Sequence, residues 1–349
     1  MDSGREAVAL TAVVPAERVR AMALEAGFDL CGFARPEPIP AAVLQDWLAA
    51  GMAADMDWLA ERVADRLEPR RLLPDARTVV ALACNYWTEA PEVESSPVAR
   101  YARGRDYHAT MRDRLRAFRR LLRAEWPELR TYGSVDHGPF MEKVWAARAG
   151  LGVIARNGCL VTPEFGSWVV LAVLLVELEV DDYGRGPTAD RCGSCRLCVD
   201  ACPTGALDGA GRVDSRACLS YQTIENEGPV PPEQREAMAT HVFGCDVCQD
   251  VCPLNVAPLP AVGHRFLPRA VAGLDARALA AMTPRTYAEL VPGTALARAG
   301  YDGLRRNAAY ALGAARDGGA RPVLELLAQD PSPVVSDAAR WALARLPPP

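Results

Sequence analysis

The segment Cys192–Pro203, with the sequence CGSCRLCVDACP, decides how the rest of the chain is interpreted. Its first three cysteines are separated by two residues each, and the fourth follows after three more residues and precedes a proline. This spacing is typical of bacterial two-cluster ferredoxins, in which three thiolates bind one 4Fe-4S cluster and the fourth binds another. The segment therefore predicts a second cysteine run.

That run lies at 245–252, in the sequence CDVCQDVC, and Pro253 again follows the last cysteine. It supplies three thiolates, and Cys218 is the nearest unassigned cysteine that can complete the set. Following the crossed ferredoxin pattern, we assign Cys192, Cys195, Cys198 and Cys252 to one cluster and Cys202, Cys218, Cys245 and Cys248 to the other. The alternative is zinc, whose sites usually consist of two separated CxxC pairs and do not have this triple spacing.

The length of 349 residues allows about two or three domains with a sizeable core. The remaining cysteines, Cys31, Cys84 and Cys159, lie in apolar stretches and are interpreted as small buried hydrophobic residues. No disulfide framework is indicated, and labile clusters favour a reducing compartment.

The localisation follows from two further observations. Asp2, Arg5 and Glu6 precede only a short apolar patch, which does not fit a signal peptide. The longest apolar run, 168–176, is shorter than the roughly 20 residues that a membrane-spanning helix needs. We therefore expect a cytoplasmic protein in which this run is a buried strand.

The net charge of −5 argues against a general nucleic-acid-binding protein. The charge is unevenly distributed, because residues 100–123 contain nine arginines and two acidic residues. This segment is a candidate phosphate-binding surface. The chain has a single lysine, Lys143, so the arginine density also reflects composition.

The order of apolar patterns predicts three parts. In residues 1–180 helices and strands alternate, including a buried strand at 78–84 and a helix with Pro139 in its first turn, which indicates an α/β (α+β) catalytic domain that holds a cofactor. Residues 181–260 form the ferredoxin-like domain with two clusters, and residues 261–349 form a helical region.

The end of the chain is rich in alanine, leucine and arginine. Within 303–346, two similar stretches recur at a period of about 30 residues, as in helical repeats of the HEAT type. So short an array must pack on the preceding domain. Arg305 and Arg306 begin a helix in which they either face a partner or are ordinary surface charges.

Catalytic residues within 1–180 are harder to predict from the sequence. The chain has no GxGxxG dinucleotide motif after a strand, no HExxH and no nucleophile elbow. Asp136 ends a predicted strand and is a candidate general acid, or else a helix cap. His108 and His137 are either functional or ordinary polar residues. The residues alone thus indicate a two-cluster redox enzyme with an unknown substrate.

The sequence resembles the epoxyqueuosine reductases over essentially its whole length. The stretches that carry the resemblance are YARGRDYH at 101–108, VDHGPFMEKVWAARAGLG at 135–152, the RN and GSW positions at 156–157 and 166–168, both cysteine runs, ACLSYQTIENEGPVP at 217–231 and LRRNAAYALG at 304–313. Members of this family reduce the epoxide of epoxyqueuosine at the wobble position of tRNA to the cyclopentene of queuosine, using cobalamin and two 4Fe-4S clusters.

The resemblance implies roles for individual residues. Asp136 matches the proton donor, which protonates the departing epoxide oxygen. The expected cobalamin-binding residues are Arg66, Tyr107, His108, Asn157, Ser167, Ser220 and Asp246. The expected tRNA-binding residues are Arg105, Arg305 and Arg306, and a reductant protein or small-molecule donor would supply electrons to a monomeric enzyme.

Cobalamin itself is implied only by the resemblance. The chain lacks the DxHxxG signature of proteins that ligate cobalt through histidine, because Met111 stands where Asp106 and His108 would require glycine. A base-off cofactor without a histidine ligand is therefore expected. The stretches VIARNGCLV and HGP depart from the common family pattern. Two other functions remain open, namely an electron-transfer module and a cobalamin-dependent reductase of a small molecule.

Overall fold

The computed structural model describes residues 13–90, 93–186, 191–255, 259–262 and 264–348. The expectation about a signal peptide falls on residues 1–12, which lie outside the described residues. Within the described ranges, no helix combines the length and apolar character needed to cross a membrane.

The first part of the chain is built on a four-stranded antiparallel sheet. The strands of the molecule are β1 Val13–Val14, β2 Leu30–Ala34, β3 Thr78–Asn85, β4 Thr131–Ser134, β5 Val153–Ile154, β6 Leu160–Val161, β7 Val169–Val176 and β8 Glu179–Val180. The sheet has the order β2-β3-β7-β4, while β1 pairs with β8 and β5 with β6. The two central strands are the apolar runs that the sequence predicts as buried strands, which confirms both.

Helices cover both faces of this sheet. In this part of the chain they are α1 Ala16–Glu25, α2 Ala42–Ala49, α3 Val63–Leu67, α4 Tyr107–Glu125 and α5 Glu142–Arg148. Because side chains alternate along a strand, Val80 and Leu82 of β3 pack with Phe118 of α4, whereas Val79 and Ala81 pack with Trp145 of α5. The result is a three-layer arrangement.

The start of α5 differs from the prediction. The helix begins at Glu142, so Pro139 does not occupy its first turn. Residues 135–138 instead form a bend in which Asp136 has a φ of 59°. An Asp in this left-handed region is less strained than a branched residue, because its short polar side chain tolerates it.

The cysteine-rich segment contains three short helices, α6 Leu197–Ala201, α7 Leu219–Ile224 and α8 Val247–Asp250. The helices after it are α9 Ala276–Ala280, α10 Pro284–Leu290, α11 Gly300–Ala314, α12 Arg321–Leu327 and α13 Pro333–Leu343. Helix α11 packs on α13, α9 and α7. One core joins the two segments, since it contains Leu219 and Phe243 together with Leu304 and Ala338.

Arg305 and Arg306 lie inside this packing and not on an open surface, and Arg306 also lines a cavity beside the start of α11. Their role as tRNA contacts stays a prediction. Arg306 is 1% exposed, and its guanidinium donates to the carbonyls of Asn226 and Gly228, both at 2.6 Å. Arg305 is 7% exposed and forms an ion pair with Asp330. Both arginines therefore satisfy buried acceptors that join α11 to neighbouring elements.

Candidate active site

A large cavity lies between the sheet region and the cysteine-rich segment. Its volume is about 820 Å³, and its walls come from α2, the segment leading into α5, the β5–β6 hairpin and residues 210–213. The charged residues among those that line it are Arg66, Asp136, Glu142, Lys143 and Arg212. No histidine is among the described residues that line it.

A second cavity of about 790 Å³ continues from the first. Both cavities are lined by five common residues, Leu59, Arg66, Tyr101, Tyr107 and Asp136. Only the second is lined by His108 and His137. Asp136 thus stands where a group bound in one cavity meets a group bound in the other.

The carboxylate of Asp136 is held by the first turn of α4. The Tyr107 hydroxyl donates to its Oδ2 at 2.8 Å, and Nε2 of His108 lies 3.0 Å from the same oxygen. Asp106 caps α4 by accepting from the His108 backbone N–H, and its Oδ1 also lies 2.8 Å from His108 Nδ1. The RDYH sequence therefore positions both side chains through a helix cap.

This geometry fixes where the proton resides. Each ring nitrogen of His108 faces a carboxylate oxygen, so both nitrogens donate only if the ring is an imidazolium. Although burial opposes the charge, the hydrogen bonds to Asp106 and Asp136 raise the pKa of His108 to about 9. The hydrogen bond from His108 in turn lowers the pKa of Asp136, against the effect of burial. The raised pKa of His108 and the lowered pKa of Asp136 favour an imidazolium paired with a carboxylate at neutral pH.

The backbone of Asp136 has its own support. Its N–H donates to Oε1 of Glu142 at 3.2 Å, and Arg66 donates to the carbonyl of Gly138 at 3.4 Å. At Gly138 a Cβ would lie 2.4 Å from Ser134 Cβ, so only glycine fits. Burial raises the pKa of Glu142 to about 7. Sequence analysis missed this residue, although it lies in the MEKVW stretch that carries the family resemblance.

The expected cofactor-binding residues divide into two groups. Arg66, Tyr107 and Ser167 line the large cavity, and His108 lines the second. Asn157, Ser220 and Asp246 are not among the described residues that line either cavity, so their contact with a cofactor stays a prediction.

Each of these three side chains interacts with other residues of the protein. The side chain of Asn157 donates to the carbonyl of Cys248 at 3.1 Å and accepts from the backbone N–H of Cys159 at 3.1 Å. Ser220 lies next to the Cys218 thiol and opposes the rise that burial causes in the pKa of that thiol. Asp246 accepts from the backbone N–H of Arg100 at 2.7 Å. These polar groups therefore join the cysteine loops to their neighbours.

Four of the eight cysteines that the spacing assigns to clusters lie around one cavity, and the partition into two sets stays a prediction. Cys192, Cys195, Cys198 and Cys252 line one small cavity of about 30 Å³. In the other set, burial raises the pKa of Cys245 to about 12, with contributions from the nearby Cys218 and Cys202. Burial also raises the pKa of Cys218, with a contribution from Cys202. Across the described ranges, no three Cys, His, Asp or Glu side chains converge as ligands of a single metal ion.

Comparison with known proteins identifies the family to which the chain belongs. Residues 191–255 match the model described as "4Fe-4S double cluster binding domain", which excludes the zinc interpretation. Residues 66–137 match "Epoxyqueuosine reductase QueG, DUF1730". An epoxyqueuosine reductase of Cyclobacterium marinum is 37% identical over 294 residues, covering 83% of this chain and 94% of the relative. The chain belongs to the epoxyqueuosine reductase family.

Solved structures of epoxyqueuosine reductases have the same fold. One, crystallised with a tRNA-Tyr epoxyqueuosine-modified stem loop, has a TM-score of 0.86 at 30% identity and covers 94% of this chain and 89% of its own. Another, from Bacillus subtilis, has a TM-score of 0.84 at 30% identity with the same coverage, and its catalytic loop is swung out of the active site.

One cysteine of this epoxyqueuosine reductase family member was misinterpreted from sequence. Cys159 is not simply a buried hydrophobic residue, because it is half-buried and lines the large cavity, and the neighbouring Cys248 lowers its pKa. The apolar neighbours of Cys159 in the sequence gave no signal of this contact.

The arginine-rich segment is only partly available to a nucleic acid. Arg103 is buried and donates to the carbonyl of Val98 at 2.9 Å, and Arg100 pairs with Asp250 at 2.9 Å. The exposed members are Arg105, Arg112, Arg116, Arg120 and Arg123. A phosphate-binding surface in this family member is therefore narrower than the sequence suggests.

Proposed function

We propose that this protein reduces epoxyqueuosine to queuosine at the wobble position 34 of tRNA, using two 4Fe-4S clusters and cobalamin. Membership of the epoxyqueuosine reductase family supports the reaction and the tRNA substrate. The observation that carries the proposal is the hydrogen-bonded group of His108, Asp136 and Tyr107 at the junction of two cavities. One cavity would hold the cofactor and the other the modified base.

The cluster ligands follow the crossed arrangement. Cys192, Cys195, Cys198 and Cys252 would hold one cluster, and Cys202, Cys218, Cys245 and Cys248 the other. The shared cavity of the first set and the mutual electrostatic effects within the second support this partition. A reductant protein or small molecule would supply the electrons.

The large cavity suits cobalamin in size and chemistry. Its volume of about 820 Å³ lies near the upper end for ligand sites, and such sites combine apolar walls with a few polar groups. The Nε atom of Arg66 is buried without a hydrogen-bond partner, so it can donate to a bound acceptor. With no histidine among the described lining residues, a cobalt ligand from that side chain is not expected. Bound cobalamin would supply strongly reducing electrons at the epoxide carbon.

Side chains of the protein would supply the protons of the reaction. Converting an epoxide to an alkene and water consumes two electrons and two protons. The proton shared by His108 and Asp136 would pass to the epoxide oxygen as its C–O bond breaks, because a free alkoxide is a poor leaving group. The Tyr107 hydroxyl, which donates to the same carboxylate oxygen, is placed to relay the second proton.

The domain assignment remains part of the proposal. Residues 1–180 would form the catalytic, cobalamin-binding domain, residues 181–260 the two-cluster domain and residues 261–349 a HEAT-like tRNA-recognition region. Packing of α11 on α13 supports a short helical repeat. Arg105, which is exposed at the entrance to α4, is retained as a tRNA contact.

The decisive experiment uses anaerobically purified protein with both clusters reconstituted, cobalamin, a strong reductant and an epoxyqueuosine-modified tRNA stem loop. Mass analysis of the nucleosides should show loss of one oxygen atom. Asp136→Asn should abolish turnover and leave both cofactors bound. Iron binding without retention of cobalamin would instead favour an electron-transfer module, and conversion of small epoxides but not the stem loop would favour a small-molecule reductase.

A further inference from the structure

Trp58 is an unusually exposed aromatic residue beside the active site. It lies in a short 3-10 turn, Asp57–Leu59, and is 41% exposed. Its carbonyl accepts from Arg66 at 3.3 Å, which ties the turn to the Asp136 loop through a shared arginine.

The indole of Trp58 separates two cavities. One is the second cavity, which contains Asp136, and the other is a neighbouring cavity of about 670 Å³. Four residues line both, namely Trp58, Ile224, Glu225 and Arg298. A ligand that continues out of the Asp136 cavity in this direction must therefore pass the indole.

Arg298 lines the same boundary between the two cavities, and Glu225 holds its guanidinium in one orientation. Its guanidinium carbon is 5.3 Å from the centre of the indole ring. Glu225 holds it through hydrogen bonds from Nε to Oε2 at 3.0 Å and from Nη2 to Oε2 at 2.6 Å. An exposed ion pair adds little stability, but this one fixes a planar cation beside a planar aromatic ring.

These groups have the chemistry that binds unpaired nucleobases. Proteins recognise single-stranded RNA by stacking its splayed bases on aromatic rings and arginine planes and by hydrogen-bonding the base edges. If one base enters the Asp136 cavity, the next nucleotide of the same strand must lie directly beside it. The neighbouring cavity is lined by the carboxylates of Glu225, Glu227 and Asp302, which can accept hydrogen bonds from base amino or imino groups. Arg306 also lines it.

We propose that Trp58 and Arg298 form a stacking platform for the base next to the modified nucleotide. The inference rests on the proposed function, since it requires an RNA strand with one base at Asp136. It assigns substrate positioning to residues that make no contact with the reacting atoms. It also explains why an exposed tryptophan and a fixed arginine share one boundary.

The test is a comparison of protein variants with RNA variants. Trp58→Ala, Trp58→Phe and wild type are assayed on the modified stem loop and on stem loops that are abasic at the 5′ or the 3′ neighbour. Loss of one base–aromatic stack corresponds to a roughly 5- to 150-fold rise in KM or Kd. We expect this rise for Trp58→Ala on the intact RNA, with kcat little changed, and most of the affinity retained in Trp58→Phe.

On one of the two abasic RNAs, Trp58→Ala and wild type should bind equally. Leu326→Ala, a change at an exposed position of α12 that lines none of these cavities, is the matched control. Equal affinity of Trp58→Ala and wild type for the intact RNA overturns the platform, as does an equal loss on all three RNAs. Iron content and circular dichroism establish that the variants are folded.

Binding and turnover separate the two proposals. Fluorescence anisotropy with a labelled stem loop measures the platform without any chemistry. A wild-type protein that binds the RNA but does not convert it would refute the proposed reaction, while the dependence on Trp58 would still decide the platform.

Discussion

Replacing Glu142 with glutamine should make the protein more stable at alkaline pH. Burial raises the pKa of this carboxyl from 4.5 to about 7, so the folded state binds a proton more tightly than the unfolded state. The stability that results is fully present below about pH 4.5 and is lost as the pH rises through about 7. Above that pH, the wild type bears the cost of a buried carboxylate, which glutamine does not have.

The size of the stability difference follows from the shift in the pKa of Glu142 between the unfolded and the folded state. As the pH rises from about 5.5 to about 8.5, loss of the Glu142 proton should lower the free energy of unfolding of the wild type by about 2 kcal/mol. Glu142→Gln should lack this part of the pH dependence. Denaturant unfolding of both proteins at the two pH values measures it. Parallel pH dependence in the wild type and the variant would refute the burial argument.

A second substitution at the same position separates stability from catalysis. Glutamine keeps an oxygen that can accept the Asp136 N–H, whereas Glu142→Leu has none. A hydrogen bond to a neutral acceptor contributes about 0.5–1.5 kcal/mol, which corresponds to a roughly 2- to 13-fold change in the population of the observed loop conformation. We expect kcat to fall by up to that factor in Glu142→Leu and far less in Glu142→Gln. Equal activity of the two variants would show that the loop does not need this acceptor.

Three further outcomes are expected. Activity should fall as the pH rises through about 9, the pKa to which its two carboxylate partners raise His108, and His108→Asn should lack this limb of the pH profile. A persisting limb would assign it to another group. Cys218→Ala should lose about half of the iron because one of two clusters loses a ligand, while Cys159→Ala keeps both clusters, as iron analysis and electron paramagnetic resonance would show. Arg306→Ala should lower the free energy of unfolding by about 2–4 kcal/mol, because buried carbonyls lose their donor. A selective loss of RNA affinity in a fully stable Arg306→Ala protein would instead identify this residue as an RNA contact.

Features that depend on local sequence were predictable. The spacing in the two cysteine runs limits which thiolates can surround one cluster, and the resulting sets agree with the cavity shared by Cys192 and Cys252. The continuous apolar run at 78–84 needs burial on both faces, and it became the central strand β3. In both cases, the information lies within a few consecutive residues.

Features that depend on tertiary packing were not predictable in the same way. Arg306 has the appearance of a surface cation in the sequence, but its guanidinium fills a pocket of carbonyls around Asn226 and Gly228, about eighty positions earlier in the chain. Asn157 similarly belongs to a family motif, yet its amide joins a hairpin to the Cys248 turn. A motif fixes the residue type and does not reveal what the side chain contacts.

The same distinction applies to the proton of the proposed reaction. Sequence resemblance assigns the role of proton donor to Asp136, whereas the structure surrounds its carboxylate with two donors and lowers its pKa. An ionised aspartate cannot give up a proton that it does not hold. The acid is therefore the coupled pair of His108 and Asp136, whose pKa values belong to the pair rather than to either residue. Replacing His108 should consequently affect the protonation step even though the aspartate remains in place.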